Sequence, residues 1–258
     1  MLCLVGALFL LSRSMMAGAG STEELLTRMA THSSDVVQQL SSVKCTERVT
    51  QEKLATNGKI EFKQESSYDY MVILTNSEAD LALEESRLVI RDGSNEKKKD
   101  LSLLVSNGFA TLFLVFHPFY SSSFQFTRLT DETVEGKLLS RIQFEHVRGM
   151  RTPAALALRG REFPLELSGT AWVIPETGTI VRIAAGVGKS LEDVGLKTFQ
   201  VEVKYEPVIF RGVVPNHWLP VEARVEVETQ RQHWRNVHQF VDYNLFSVNT
   251  EERVRDRK

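Results

Sequence analysis

Apolar residues along this chain recur first at helical spacing and then at every second position. Leu25, Leu26 and Met29, and later Val36, Val37 and Leu40, fall three or four residues apart. Ser21 followed by Glu24 is a capping box, which satisfies two backbone donors at a helix start. The pattern predicts an amphipathic helix over residues 21–40, with a polar interruption near 31–34 and one face that must cover something apolar.

From Lys44 the period changes to two. Asn57-Gly58 separates two alternating runs and predicts a tight hairpin. Residues 76–100 read as irregular and end in a polar cluster containing Lys97-Lys98-Lys99, a solvated loop tip. Strands resume over 122–129 and 138–147, with a polar turn at 131–136. Residues 149–168 form a long irregular connection with Pro153 and Pro164, and its apolar centre at 154–158 fits a short helix capping an opening.

Residues 169–174 predict a strand, Pro175-Glu176-Thr177-Gly178 a turn, and residues 179–183 the returning strand. Strict alternation puts Trp172 with Ile174 on one face, and Ile180 with Arg182. Alternating runs at 198–205 and 219–228 and a last strand at 234–248 complete about nine to eleven antiparallel strands. Such strands, charged on one face and apolar on the other, must curl or be covered. The predicted fold is mainly β with a few helices: an open, strongly curved antiparallel half-barrel with the amino-terminal amphipathic helix on its concave face.

The amino terminus changes the picture of where this domain works. Residues 2–11 are an apolar run of signal-peptide length, too short to span a bilayer, and Ala17-Gly18-Ala19 is an A-x-A cleavage pattern. The expected organisation is a signal peptide at 1–19, one β domain at 20–250 and a charged, frayed tail at 251–258. The other reading keeps the signal as an inner-membrane tether. Of two cysteines, Cys3 leaves with the signal, so Cys45 has no intrachain partner and a disulfide framework is excluded.

Composition narrows the chemistry. Of 258 residues, 42% are hydrophobic and 25% charged, which fits a globular chain, and a net charge of −2 gives no basic field for nucleic acid. Gly188-Lys189-Ser190 mimics the end of a phosphate-binding loop, but Ile183 stands where the first glycine is required. The six histidines have no metal-ligand spacing; His233 and His238 are five apart and face opposite sides of a strand. No G-x-S-x-G occurs. No cofactor, metal site or catalytic residue is expected, and the chain reads as a non-enzyme.

The aromatic-rich stretch from Phe109 to Phe126 is the remaining feature. Phe109, Phe113 and Phe116 lie at helical spacing, which fits a short buried helix or lid. The stretch is either packed core or the wall of an apolar cavity. The cavity candidates are Phe113, Phe116, Phe119 and Trp172.

The hairpin from Trp172 to Ile183, Trp-Val-Ile-Pro-Glu-Thr-Gly-Thr-Ile-Val-Arg-Ile, resembles the strand, Pro-x-Thr-Gly, strand-with-Arg hairpin of the periplasmic lipoprotein-carrier superfamily (LolA/LolB-like). An exported chain starting with an amphipathic helix, the strand bearing Cys45-Thr46-Glu47, and Trp218-Leu219-Pro220 before a charged strand are similar to it too. The resemblance implies an unclosed barrel whose helices plug an apolar cavity, a periplasmic or envelope location, and a lipid or acylated, lipoprotein-like ligand. It names no site residue. An envelope sensor or interaction module with a filled core and a protein partner is the other function that this organisation allows.

Overall fold

The computed structural model describes residues 21–77, 80–90, 112–158, 161–187, 195–210 and 217–246. The signal, Cys3, Phe109, the Lys97-Lys98-Lys99 cluster, Gly188-Lys189-Ser190 and the charged tail lie outside them.

Helix α1 spans Thr22–Leu40. Its capping box forms as expected: the Ser21 hydroxyl accepts from Glu24 N at 3.1 Å, and Ser21 N donates to the Glu24 carboxylate at 3.1 Å. The polar stretch in its middle does not break it. Thr31, Ser33 and Ser34 donate their hydroxyls back to carbonyls four residues earlier, so each stays satisfied inside the helix. Leu25, Met29, Ser33, Val36, Val37 and Leu40 make one buried face.

The strands are β1 Val43–Leu54, β2 Ile60–Ser77, β3 Asp80–Val89, β4 Phe124–Val134, β5 Lys137–His146, β6 Ala155–Leu158, β7 Arg161–Pro164, β8 Leu167–Ile174, β9 Thr179–Val187, β10 Leu196–Val208, β11 His217–Thr229 and β12 His233–Leu245. A 3-10 helix at Leu112–Phe116 and α2 at Pro118–Ser121 lie between β3 and β4. Ten strands form one antiparallel sheet in the order β3-β2-β1-β12-β11-β10-β9-β8-β5-β4, and β6-β7 form a separate hairpin. The large sheet is not closed: β3 and β4 are its edges.

Contacts across the sheet show its curvature. Laid flat, nine interstrand steps would hold β3 and β4 about 43 Å apart. Residues 112–121, a helical segment about 15–20 Å long, touch both edges. The Tyr120 hydroxyl donates to the Leu81 carbonyl of β3 at 2.6 Å, and the Phe116 ring stacks on Phe126 of β4 with centroids 5.3 Å apart. The two edges therefore curl toward each other. Helix α1 packs inside the curl against β1, β2, β9 and β11. The core fills the concave side, with Phe113, Phe116, Phe144, Ile142, Ile183 and Leu219 each at most 2% exposed.

Several local expectations change. The region expected to be irregular after residue 76 contains β3, which pairs with the outer half of β2 from Tyr68↔Val89 to Ser77↔Asp80. The polar turn expected at 131–136 shrinks to Glu135-Gly136, both at positive φ, and the charged residues before it belong to β4. A wet strand face tolerates them. The apolar run at 154–158 is a strand of the β6–β7 hairpin and not a helix. Four residues gain too little to nucleate a helix, whereas cross-strand pairing satisfies their backbone groups at once.

The β8–β9 hairpin turns at Pro175-Glu176-Thr177-Gly178 as expected, with Gly178 at φ +73°. A side chain there would also meet α1, since a Cβ on Gly178 would stand 2.5 Å from Arg28. One expectation within the hairpin fails. Trp172 pairs with Arg182, but Val173 pairs with Ile180, so Val181 is an extra residue, a β-bulge. The bulge reverses the alternation: Ile180 points into the core and Arg182 stands on the outer face.

Candidate functional site

Sequence and capping chemistry together form the segment that fills the sheet's interior. Pro118 takes the first helical position of α2, where no backbone donor is needed. His117 caps it by accepting from Phe119 N at 3.1 Å through Nδ1. Burial lowers the His117 pKa, which favours the neutral ring that can accept this bond. Phe113 and Phe116 are three residues apart, so in a 3-10 helix they share a face. Phe113 meets Tyr205 of β10 edge-on at 6.3 Å, and Phe116 meets Phe144 of β5 edge-on at 5.7 Å. Phe119 is only half-buried; its ring lies against Tyr120 and under the Arg151 guanidinium at 4.1 Å.

Of the four cavity candidates, the structure thus brings Phe113 and Phe116 together on the concave side and puts Phe119 at its rim. Trp172 stands on the opposite face. Its strand neighbours Ala171 and Val173 are in the core, while the Trp172 indole donates to Glu132 Oε2 at 2.8 Å and the Arg182 guanidinium lies 3.5 Å from the ring centroid.

The interior is not apolar throughout. Where β3, β1 and β12 face inward, Glu47 and His238 are buried. Arg87 Nε lies 2.6 Å from Glu47 Oε2, and Arg87 Nη2 bonds Glu47 Oε1 at 2.9 Å and Glu85 Oε2 at 2.6 Å. His238 Nδ1 lies 2.8 Å from Glu47 Oε1. Burial works to raise the Glu47 pKa, but the hydrogen bonds and charges of His238 and Arg87 outweigh it and hold the carboxyl below its ordinary 4.5. An ionised carboxylate only accepts, so His238 Nδ1 carries the proton of this bond. Arg87 also lies 5.2 Å from the centroid of the Tyr70 ring. The cluster joins an edge strand to the centre of the sheet. With Glu47 committed to Arg87 and His238, it is a structural tie and a poor general base.

Sequence reading missed this cluster by assigning the alternating carboxylates to the wet face. A signal was present. Glu47 shares its alternation with Val43, Cys45 and Val49, all apolar and inward. Cys45 is buried beside it. Burial, opposed by a contact with Tyr243 and reinforced by Glu47, pushes the thiol up to about 12, which leaves it an unreactive core residue. Among the described residues, no group of three or more His, Cys, Asp or Glu is placed to hold a metal ion. No helix among them is long and apolar enough to cross a membrane.

No protein-family model matches the chain, and no curated protein matches it. Solved structures that align with this chain include a DUF1329 family protein from Desulfovibrio piger, at 13% identity and TM-score 0.42, covering 86% of this chain and 90% of that one. A LolA superfamily protein from Nitrosomonas europaea is 9% identical with TM-score 0.43, over 87% of this chain and 94% of its own. An outer membrane lipoprotein-sorting domain from Vibrio parahaemolyticus is 9% identical with TM-score 0.44, over 90% and 96%.

Proposed function

We propose that this chain is an exported, non-catalytic binding protein of the cell envelope that takes apolar chains, from lipids or acylated proteins, between its curved sheet and the elements covering it. The observation that carries the reading is the position of residues 112–121. This short aromatic segment fills the concave side and touches both edges of an unclosed sheet. A hydroxyl-to-carbonyl bond fastens it to β3, and the ring packing of Phe116 against Phe126 and Phe144 is hold that an acyl chain can replace. Each methylene that enters contributes about 0.8 kcal/mol, so a long chain compensates for displacing two or three aromatic rings. The export pattern at residues 1–19 and the hairpin's resemblance to lipoprotein carriers agree with this reading. Phe113 and Phe116 are the proposed stopper, with Phe119 at the rim; Trp172 has no part in this cavity.

A second reading rests on the same segment. Leu112 to Phe116 are all buried, each at most 4% exposed, which suits a filled core and an interaction module without a lipid ligand. Mass spectrometry of an organic extract from the gently purified exported protein separates the two. Stoichiometric phospholipid or acylated material, with saturable uptake of a fluorescent fatty acid by the delipidated protein, supports the carrier. A clean extract with no uptake favours the interaction module.

A further inference from the structure

The outer face of the sheet carries a recess of its own. Five residues stand side by side across five neighbouring strands: Arg141 of β5, Trp172 of β8, Arg182 of β9, Lys204 of β10 and Glu222 of β11. The register pairs Arg182 directly with Lys204. Like charges directly opposite each other destabilise a sheet. Lys204 is relieved by Glu222, 3.4 Å away. Arg182 has no carboxylate partner among the described residues; its guanidinium is held flat against the Trp172 ring instead. Stacking fixes the orientation of a guanidinium and leaves its in-plane donors unused.

Trp172, Arg182 and Lys204 of this row border a pocket of about 480 Å³, within the size range of small-molecule sites. Trp172 and Trp218 line it, with Pro207 and Ile174 beside them and Glu135 and Glu206 at its border. Trp172 is 9% exposed beneath Arg182, and Trp218, half-buried against the core, turns its remaining surface to the recess. The mixture of groups selects a ligand class. Indole faces suit the C–H face of a sugar ring, and carboxylates accept from its hydroxyls. An unneutralised arginine beside a second cation calls for an anionic substituent.

We propose that this pocket binds an acidic saccharide, with Trp218 as the stacking surface, Arg182 as the anion contact and Trp172 as the residue that positions Arg182. The anion is a carboxylate or a phosphate, since both match the guanidinium fork.

The test is a titration of the whole chain, carrying Trp234→Phe so that only Trp172 and Trp218 report by fluorescence. The probes are digalacturonate, glucose 6-phosphate, cellobiose as the neutral counterpart, and inorganic phosphate. Saturable binding of either acidic sugar, about tenfold or more tighter than cellobiose and inorganic phosphate, is expected; the tighter of the two identifies the anion. Arg182→Gln and Trp218→Ala are each expected to weaken it about tenfold with an unchanged unfolding midpoint, and Lys204→Met serves if either variant fails to fold. The proposal is overturned if neither acidic sugar binds saturably, if cellobiose or inorganic phosphate binds as well, or if the folded variants bind like the parent.

Discussion

Glu47 and His238 stand 191 residues apart in the sequence, yet their side chains meet at 2.8 Å inside the sheet. They are not a directly paired couple in the ladder: Glu47 lies opposite Phe240, and His238 opposite Val49. The contact is diagonal across β1 and β12. Through Glu47 it continues to Arg87 on the edge strand β3.

Glu47 should therefore make the protein acid-sensitive. Its carboxyl titrates lower in the folded protein than its ordinary 4.5. The resulting stabilisation is complete above that value and is lost as pH falls through the lower, folded one. Glu47→Gln leaves Arg87 and His238 facing a neutral amide and is expected to cost about 3–5 kcal/mol at neutral pH. Denaturant unfolding at pH 7 and at steps down to pH 3 checks both points. The variant's deficit should shrink in acid, and a deficit independent of pH would contradict the assignment.

Tyr120→Phe removes the hydrogen bond between the stopper and the Leu81 carbonyl of β3 and keeps the ring. The expected loss is about 1 kcal/mol of stability, the net contribution of one such bond. If residues 112–121 gate the interior, the same variant takes up a fluorescent fatty acid faster than the parent. Unchanged uptake kinetics in a destabilised variant would separate the bond's structural role from any gating.

Phe116 tests packing more severely. Its ring is 2% exposed and sits between Phe126 and Phe144. Truncation to Ala is expected to cost about 3–5 kcal/mol, read from the denaturation midpoint. Phe116→Asp buries an uncompensated carboxylate and is expected to unfold the protein, so Ala is the useful probe of ligand retention.

Gly178→Ala carries two penalties at once. The residue has φ +73°, and an added Cβ would stand 2.5 Å from Arg28 of α1. The backbone strain alone is about 1–2 kcal/mol, and the clash pushes α1 from its seat. Hydrogen exchange should show protection lost in α1 before the strands. Equal protection in variant and parent would mean that the turn and helix adjust without strain.

Cys45 is expected to be silent. With its thiol pushed up to about 12 and its side chain buried, it should react with a disulfide reagent only after denaturation. Rapid labelling of the native protein would show that this part of β1 opens.

Much of the fold was legible in residue spacing because local rules and tertiary structure agree there. The capping box at Ser21 and Glu24, the Asn57-Gly58 turn and the Pro175 to Gly178 turn act within a few residues, and each forms as read. The misreadings involve longer range. Strand β3 was hidden because its charged residues look like loop, and pairing with β2 is what makes them strand. The bulge at Val181 depends on the register with β8, and it sent Arg182 outward while Ile180 turned inward.

The candidate sites divide the same way. Phe113 and Phe116 were legible as a pair because 3-10 and α spacing both place them near one face. Trp172 was misplaced because its alternation shows which residues share its face but not which face is buried.

By itself the sequence determined the amphipathic helix, the antiparallel β character, the hairpin turns and the absence of recognisable catalytic motifs. These follow from periodicity, caps and turn residues, which are local. Only the tertiary structure decided which face of each strand is concave, that residues 112–121 bridge the two edges, and that Glu47, Arg87 and His238 converge while Arg182 has no acidic partner among the described residues. Those outcomes depend on strand order and curvature, which bring together residues whose separation in the chain carries no local signal.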